Sequence, residues 1–266
     1  MRNFNFFKRT NVETQCIASL TTTKSPEPSL QGTKQSKFLS LMIAAIMAAV
    51  CLLAAMPAAA QSTINVSTLG SSNINNSGDS WNYIASSRIM YLRNLGNFAI
   101  SGTNTNLRIS ARDVLVTTLT NVNLTASGSY AYPPYDNVFT VRRGATLELK
   151  GNNTFSTNQG YGLDIDGDMN IYGGGSLNVH ANNYTAIDIS NYDSGNTHTT
   201  LNITGSGTSV NAYSTSTSAT IDCNNSSSGD FTINIGPGAS LSASNSSGHP
   251  ASSGIFNNAP LTLNIG

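Results

Sequence analysis

The sequence predicts an all-β chain: a right-handed parallel β-helix (solenoid) with three short strands per coil and roughly five to six coils. Three observations predict it. Strand-length units of three kinds recur in a fixed order, with a period of roughly 30 to 34 residues. Within each unit apolar and polar residues alternate over three or four positions, the period of a half-buried strand. The turns between units are rich in Gly, Asn, Ser and Asp and are too short to hold a helix.

One unit reads apolar, Asn, apolar and then usually Gly: Asp168-Met-Asn-Ile-Tyr-Gly173, Thr200-Leu-Asn-Ile-Thr-Gly205, Phe231-Thr-Ile-Asn-Ile-Gly236 and Pro260-Leu-Thr-Leu-Asn-Ile-Gly266. A second follows three of these: Ser176-Leu-Asn-Val179, Ser209-Val-Asn-Ala212 and Ser240-Leu-Ser-Ala243. A third precedes each: Gly162-Leu-Asp-Ile165, Ala186-Ile-Asp-Ile189, Thr220-Ile-Asp-Cys223 and Gly254-Ile-Phe-Asn257. An antiparallel sandwich does not normally repeat three strand types in order, whereas a three-strand coil does. Stacked coils pair like strands in parallel about 4.8 Å apart. Looser copies occur earlier, at Leu107–Ile109, Val114–Val116, Val122–Leu124, Phe139–Val141, Ala145–Leu149 and Asn153–Phe155. The repeat region is therefore 107–266, and 61–106, with its larger apolar residues around Trp81–Ile84 and Ile89–Leu92, is expected to cap it. The last unit reaches Gly266 with no second unit and no cap after it, which reads as truncation or continuation beyond this point.

The first 60 residues lie outside that pattern. Phe38–Met56 is almost wholly apolar, Lys34 and Lys37 precede it, and Pro57 and Ala58-Ala59-Ala60 follow it. A positive flank, an apolar core and small residues at the end make a signal peptide, with cleavage expected after Ala60. An uncleaved membrane anchor is the rival reading, since the run is about the length a span needs. A lipoprotein site at Cys51 is disfavoured by the bulky Val50 before it. The mature part then holds one cysteine, Cys223, in an inward slot, and no internal disulfide.

From Gln61 onward there are seven Lys/Arg against eleven Asp/Glu, a net of −4. Every basic residue of that part lies at or before Lys150, and from Gly151 onward there are seven Asp and no Lys or Arg. That half repels nucleic acid, which needs basic residues to neutralise phosphate, and it suits a cation.

Two stretches resemble known families. Gly162-Leu-Asp-Ile-Asp-Gly-Asp-Met-Asn-Ile-Tyr-Gly-Gly-Gly-Ser-Leu-Asn-Val179 resembles the repeat of bacterial secreted carbohydrate-binding β-helix proteins, which have a polysaccharide-lyase-like fold. Phe98-Ala-Ile-Ser-Gly-Thr-Asn-Thr105, with Leu107–Ile109 and Asn121–Leu124, resembles a coil of large Gram-positive surface proteins. The first resemblance implies calcium held by acidic residues, carried over here only to the Asp positions of the matching repeat.

The residues give four candidate features. Asp164, Asp188 and Asp222 hold one place in three successive third units, each between inward residues, so they are expected to form an outward column. Stacked carboxylates repel, and a hard cation such as calcium relieves them; the plainer reading is solvated charge that keeps the face soluble. Asp164, Asp166 and Asp168 have Asp-x-Asp-x-Asp spacing, but Met169 and Gly175 stand where an EF-hand needs Gly and Glu, leaving only a weak calcium site at a strand–turn junction. Tyr130, Tyr132 and Tyr135, in a loop stiffened by Pro133 and Pro134, offer rings to a sugar, or else form a lid; Tyr161, Tyr184 and Tyr192 lie beside the Asp-bearing strands. Asn170, Asn202, Asn234 and Asn264 are expected to form an outward amide ladder, chiefly structural.

Catalysis is the least supported class. His180, His198 and His249 have no reason in the sequence to converge, and Arg142 and Arg143 are the only reserves for the base a lyase needs. A glycosidase needs carboxylates facing across a cleft, which a same-face column does not supply. The expected function is a secreted or cell-surface module that binds a polysaccharide or cell-wall glycan through Tyr130, Tyr132, Tyr135, Tyr161, Tyr184, Asp188 and Tyr192, with calcium and without catalysis. The alternative is a structural or adhesive stalk of a larger surface protein.

Overall fold

Alternating burial governs many of the repeat strands, while Ile187–Ser190 is buried at every position. In the computed structural model, residues 61–76, 80–93, 96–126, 137–190, 198–223, 229–248, 254–257 and 261–266 are described. The segment 1–60, with its expected signal peptide, lies outside them, as do Tyr130, Tyr132, Tyr135, Tyr192 and His249. Among the described residues there is no α-helix, and no helix long and apolar enough to cross a membrane.

The chain is all-β, and its repeat strands pair in parallel. The first units, at Met169–Tyr172, His198–Ile203, Asp230–Ile235 and Leu261–Ile265, stack on Ala145–Lys150. The second units, at Ser176–Ala181, Ser209–Ser214 and Ser240–Asn245, stack on Asn152–Thr157. The third units, at Leu163–Asp166, Ile187–Ser190, Ile221–Cys223 and Ile255–Asn257, stack on Phe139–Arg142 and form a second sheet.

The first two stacks are two arms of one curled sheet. Val116–Ala126 joins them: Thr117–Thr120 pairs with Leu147–Lys150, and Asn123–Ala126 pairs with Thr154–Thr157. The sequence suggests separate strands at Val114–Val116 and Val122–Leu124. Val116 and Val122–Leu124 instead fall in a single strand, with Val114 and Leu115 before it, because Asn121 takes φ 51° and carries the chain round the corner without breaking it. Gly151 turns the equivalent corner one repeat later at φ 66°, and Gly173 two repeats later at φ 116°, where an added Cβ would lie 2.6 Å from the Leu149 carbonyl oxygen. Only glycine fits there.

The second sheet is mixed. Ile74–Asn76, Trp81–Ile84 and Ile89–Leu92 pair antiparallel before Arg108–Arg112 begins the parallel run. Gln61–Asn65 and Asn97–Asn104 join the first sheet in parallel, so the expected capping region shares both sheets with the repeats.

The core lies between the sheets. Leu147, Ile171 and Ile203 form one inward column and Met169, Leu201 and Ile233 another, all at most 1 % exposed. Each such side chain contributes about 1.5–3 kcal/mol on burial. Phe139 of the second sheet stacks on Phe155 of the first, centroids 5.4 Å apart at 10°. Cys223 is buried as a small apolar group, as its inward slot predicts, and burial pushes its thiol up to about 12, with Asp222 and Asp188 adding to the rise.

Candidate functional site

The face of the second sheet turned away from this core carries the candidate chemistry. Leu163, Ile165, Ile187, Ile189 and Ile221 point inward and are buried, so the alternating Asp164, Asp188 and Asp222 fall on the opposite face. Register places the three carboxylates directly over one another: Asp164 pairs with Asp188, and Asp188 with Asp222. Thr140 and Ser110 continue the column on the preceding strands. Two residues along lies a second column, Arg112, Arg142, Asp166 and Ser190.

The column exists as the sequence predicts, but it is not the solvated ridge that the alternation suggests. Asp188 and Asp166 are each only 6 % exposed. Alternation fixes which face a side chain takes; it does not fix whether that face is covered.

Burial has different consequences down the column. Asp164 Oδ2 accepts from Asn137 Nδ2 at 2.7 Å and from Thr140 Oγ1 at 3.3 Å. Burial still lifts its carboxyl to about 6, against the pull of those two donors and of the Arg142 guanidinium. Asp188 has no hydrogen-bond donor among the described residues. Burial, then the charges of Asp164, Asp222 and Asp166, push it to about 8. Burial raises Asp222 as well, and its Oδ1 is a buried oxygen without a donor among the described residues. Two ionised carboxylates about 5 Å apart repel by roughly 3 kcal/mol at an effective dielectric of about 20. That exceeds the roughly 1 kcal/mol net of an ordinary hydrogen bond. The column therefore needs a proton or a cation near Asp188.

The Asp-x-Asp-x-Asp group does not stay together as one loop. Asp166 ends its strand in the second sheet, Gly167 turns at φ 110°, and Asp168 stands before the next strand, in the first sheet. There Asp168 Oδ1 accepts the Thr200 N–H at 2.8 Å, serving as a backbone cap across repeats. Among the described residues, no three His, Cys, Asp or Glu side chains converge in a metal-binding group. The column offers adjacent carboxylates in pairs, and Asp188 with Asp222 suits a hard, oxygen-seeking cation best, since among the described residues neither Asp188 nor Asp222 Oδ1 has a competing donor.

Tyr161 and Tyr184 come together in the turns that lead into the Asp-bearing strands, edge to face with centroids 6.2 Å apart. Tyr184 is 37 % exposed. Asn137, which sequence reasoning passed over, ties this turn to the column: its Oδ1 accepts the Tyr161 N–H while its amide donates to Asp164.

The amide ladder is formed on the first arm. Asn202 donates to Asn170 at 2.8 Å, Asn234 to Asn202 at 2.7 Å and Asn264 to Asn234 at 2.7 Å. A shorter one runs on the second arm, where Asn211 donates to Asn178 and Ser242 to Asn211. His180 and His198 lie on different arms, His180 against the Tyr213 ring and His198 2.6 Å from Asp230.

A second feature was not singled out in the sequence. Tyr91, Arg93, Ser110, Arg112, Asp113 and Arg142 line a cleft of about 410 Å³ on the same outer face. The signal was present as the confinement of all basic residues from Gln61 onward to the part before Gly151, but only the register of Arg112 over Arg142 brings them to one place. No family model, no curated protein and no solved structure matches the chain, so its function is read from this geometry alone.

Proposed function

We propose that the chain is exported through its N-terminal apolar segment and that its mature part is a right-handed parallel β-helix, acting at the cell surface as a non-catalytic polysaccharide-binding module. The observation that carries the reading is the in-register column Asp164–Asp188–Asp222, in which Asp188 and Asp222 Oδ1 have no donor among the described residues. Calcium held between Asp188 and Asp222 would discharge the column and offer a glycan hydroxyl a further coordination position. Tyr161 and Tyr184 lie at the entrance to the same strands and supply ring surface for a sugar.

Pull-down on insoluble polysaccharides, with and without a chelator, tests this. Binding that the chelator abolishes supports the whole reading. Binding indifferent to the chelator removes calcium from it. No binding in either condition overturns it and favours the alternative, a structural or adhesive stalk, which the continuous ladder Asn170–Asn202–Asn234–Asn264 supports independently. Release of unsaturated sugars from any of these polymers would overturn the non-catalytic assignment.

A further inference from the structure

The cleft beside the acidic column has the chemistry of an anion site. Among the described residues, Arg93, Arg112 and Arg142 line it with one carboxylate, Asp113, which lies 3.7 Å from Arg112 Nε. Arg112 and Asp113 are both about half exposed, so that ion pair is screened and weak. The Arg93 guanidinium lies over the Tyr91 ring, 4.9 Å from its centroid, which holds its planar fork against a wall of the cleft. Arg142 faces the acidic side as well, since it pairs in register with Asp166 and draws the Asp164 carboxyl down. Ser110, on the strand beneath Tyr91, adds a hydroxyl to the lining. The volume, about 410 Å³, falls within the range of about 300–1,000 Å³ that small-molecule sites occupy. A smaller hollow shares Tyr91, Ser110 and Arg142 and extends past Asn137 and Thr140, the two donors to Asp164.

We propose that this cleft binds an acidic sugar residue, with Arg93 and Arg112 gripping its carboxylate or sulfate and Tyr91 packing on its ring. The assignment deepens the polysaccharide-binding reading and rests on it. Guanidinium forks meet a planar carboxylate or a sulfate with paired hydrogen bonds, which a neutral hydroxyl cannot match. Pyranose C–H faces pack on an aromatic ring. The cleft and the acidic column lie on one face, so a single chain running across the sheet would meet the arginines first and the carboxylates next. Its anionic groups belong at the arginine end.

The test is a glycan array carrying neutral, uronate-bearing and sulfated oligosaccharides, probed with the mature chain, with Arg93→Ala/Arg112→Ala and with Arg143→Asn. Arg143 is exposed, stands outside the cleft at φ 64°, and controls for the loss of charge alone; Asn tolerates that backbone. Acidic glycans should dominate the bound set, with the uronate and sulfate arms showing which anion is preferred. The double substitution should weaken them roughly tenfold or more, while Arg143→Asn leaves them unchanged. An unchanged thermal midpoint confirms that the double variant is folded; if it is not, Arg112→Lys keeps the charge, loses the fork and should still weaken binding severalfold. Preference for neutral glycans, or acidic binding equally weakened by Arg143→Asn, overturns the cleft but leaves polysaccharide binding standing. An array with no bound glycan overturns both.

Discussion

Asp188 lies directly over Asp222 in the next strand, both on the face opposite the core, and no donor among the described residues separates their charges. Asp188 is the more deeply buried of the two, and Asp164 closes the column on its other side. This relationship sets the behaviour of the fold toward protons and cations.

The first expectation is acid stabilisation. The folded-state value of Asp188, about 8, lies well above the ordinary 3.8 of an aspartate, so between those values the folded chain binds a proton that the unfolded chain does not. The contribution is fully present below about pH 4 and is lost as pH rises through about 8. Asp164, raised to about 6, adds a loss of the same sign over a lower window. Thermal midpoints measured from pH 5 to 9 in chelator should fall with rising pH. Asp188→Asn should flatten that slope and stabilise the fold at pH 8 by ~1–3 kcal/mol. A midpoint that rises with pH would contradict the buried column.

A cation should reverse the alkaline loss. At pH 8 a calcium concentration about a hundredfold above its Kd should stabilise the fold by about 2.7 kcal/mol, read as a rise in the thermal midpoint. At pH 5 protons compete and the rise should shrink. Asp222→Asn should remove most of the effect. An equal response to magnesium, calcium and added salt would show screening and not a site.

The amide ladder predicts graded losses. Asn202 donates to Asn170 and accepts from Asn234, whereas Asn264 takes part in one ladder bond. Asn202→Ala should cost ~2 kcal/mol and Asn264→Ala ~1 kcal/mol, at about 1 kcal/mol per net hydrogen bond. Denaturant midpoints of the two variants would order them.

Gly173→Ala should be among the most damaging single-methyl additions. Its φ of 116° disfavours any side chain, and the new Cβ would press on Leu149 backbone atoms at 2.6 and 2.8 Å. A loss of ~3 kcal/mol or more is expected. Gly248→Ala provides the contrast: its φ of 66° is also left-handed, but no atom lies within 4 Å of the added methyl. It should cost only ~1 kcal/mol.

Most of the repeat architecture was legible because inward apolar residues recur with their neighbours. Leu163–Asp–Ile165 and Ile187–Asp–Ile189 announce both their strand and their register, and the Asn170 row announces its ladder. The continuity of Val116–Ala126 was not legible, since it depends on Asn121 adopting a left-handed backbone, which the residue permits without requiring. Nor was the burial of Asp188: period-two alternation separates two faces and is silent on what covers the outer one. The arginine cleft was invisible for a related reason. Arg93, Arg112 and Arg142 lie 19 and 30 residues apart and become neighbours only through strand pairing.

The ladder from Asn170 through Asn202 to Asn234 advances by 32 residues at each step, and every bond in it joins adjacent strands only. Such wiring makes the fold editable in whole units. Excising 203–234, so that Asn202 runs directly into Ile235, keeps the first arm in register, with Leu201 coming beside Leu263 and Asn202 beside Asn264. Gain or loss of complete units is thus the change in size that this sequence tolerates best.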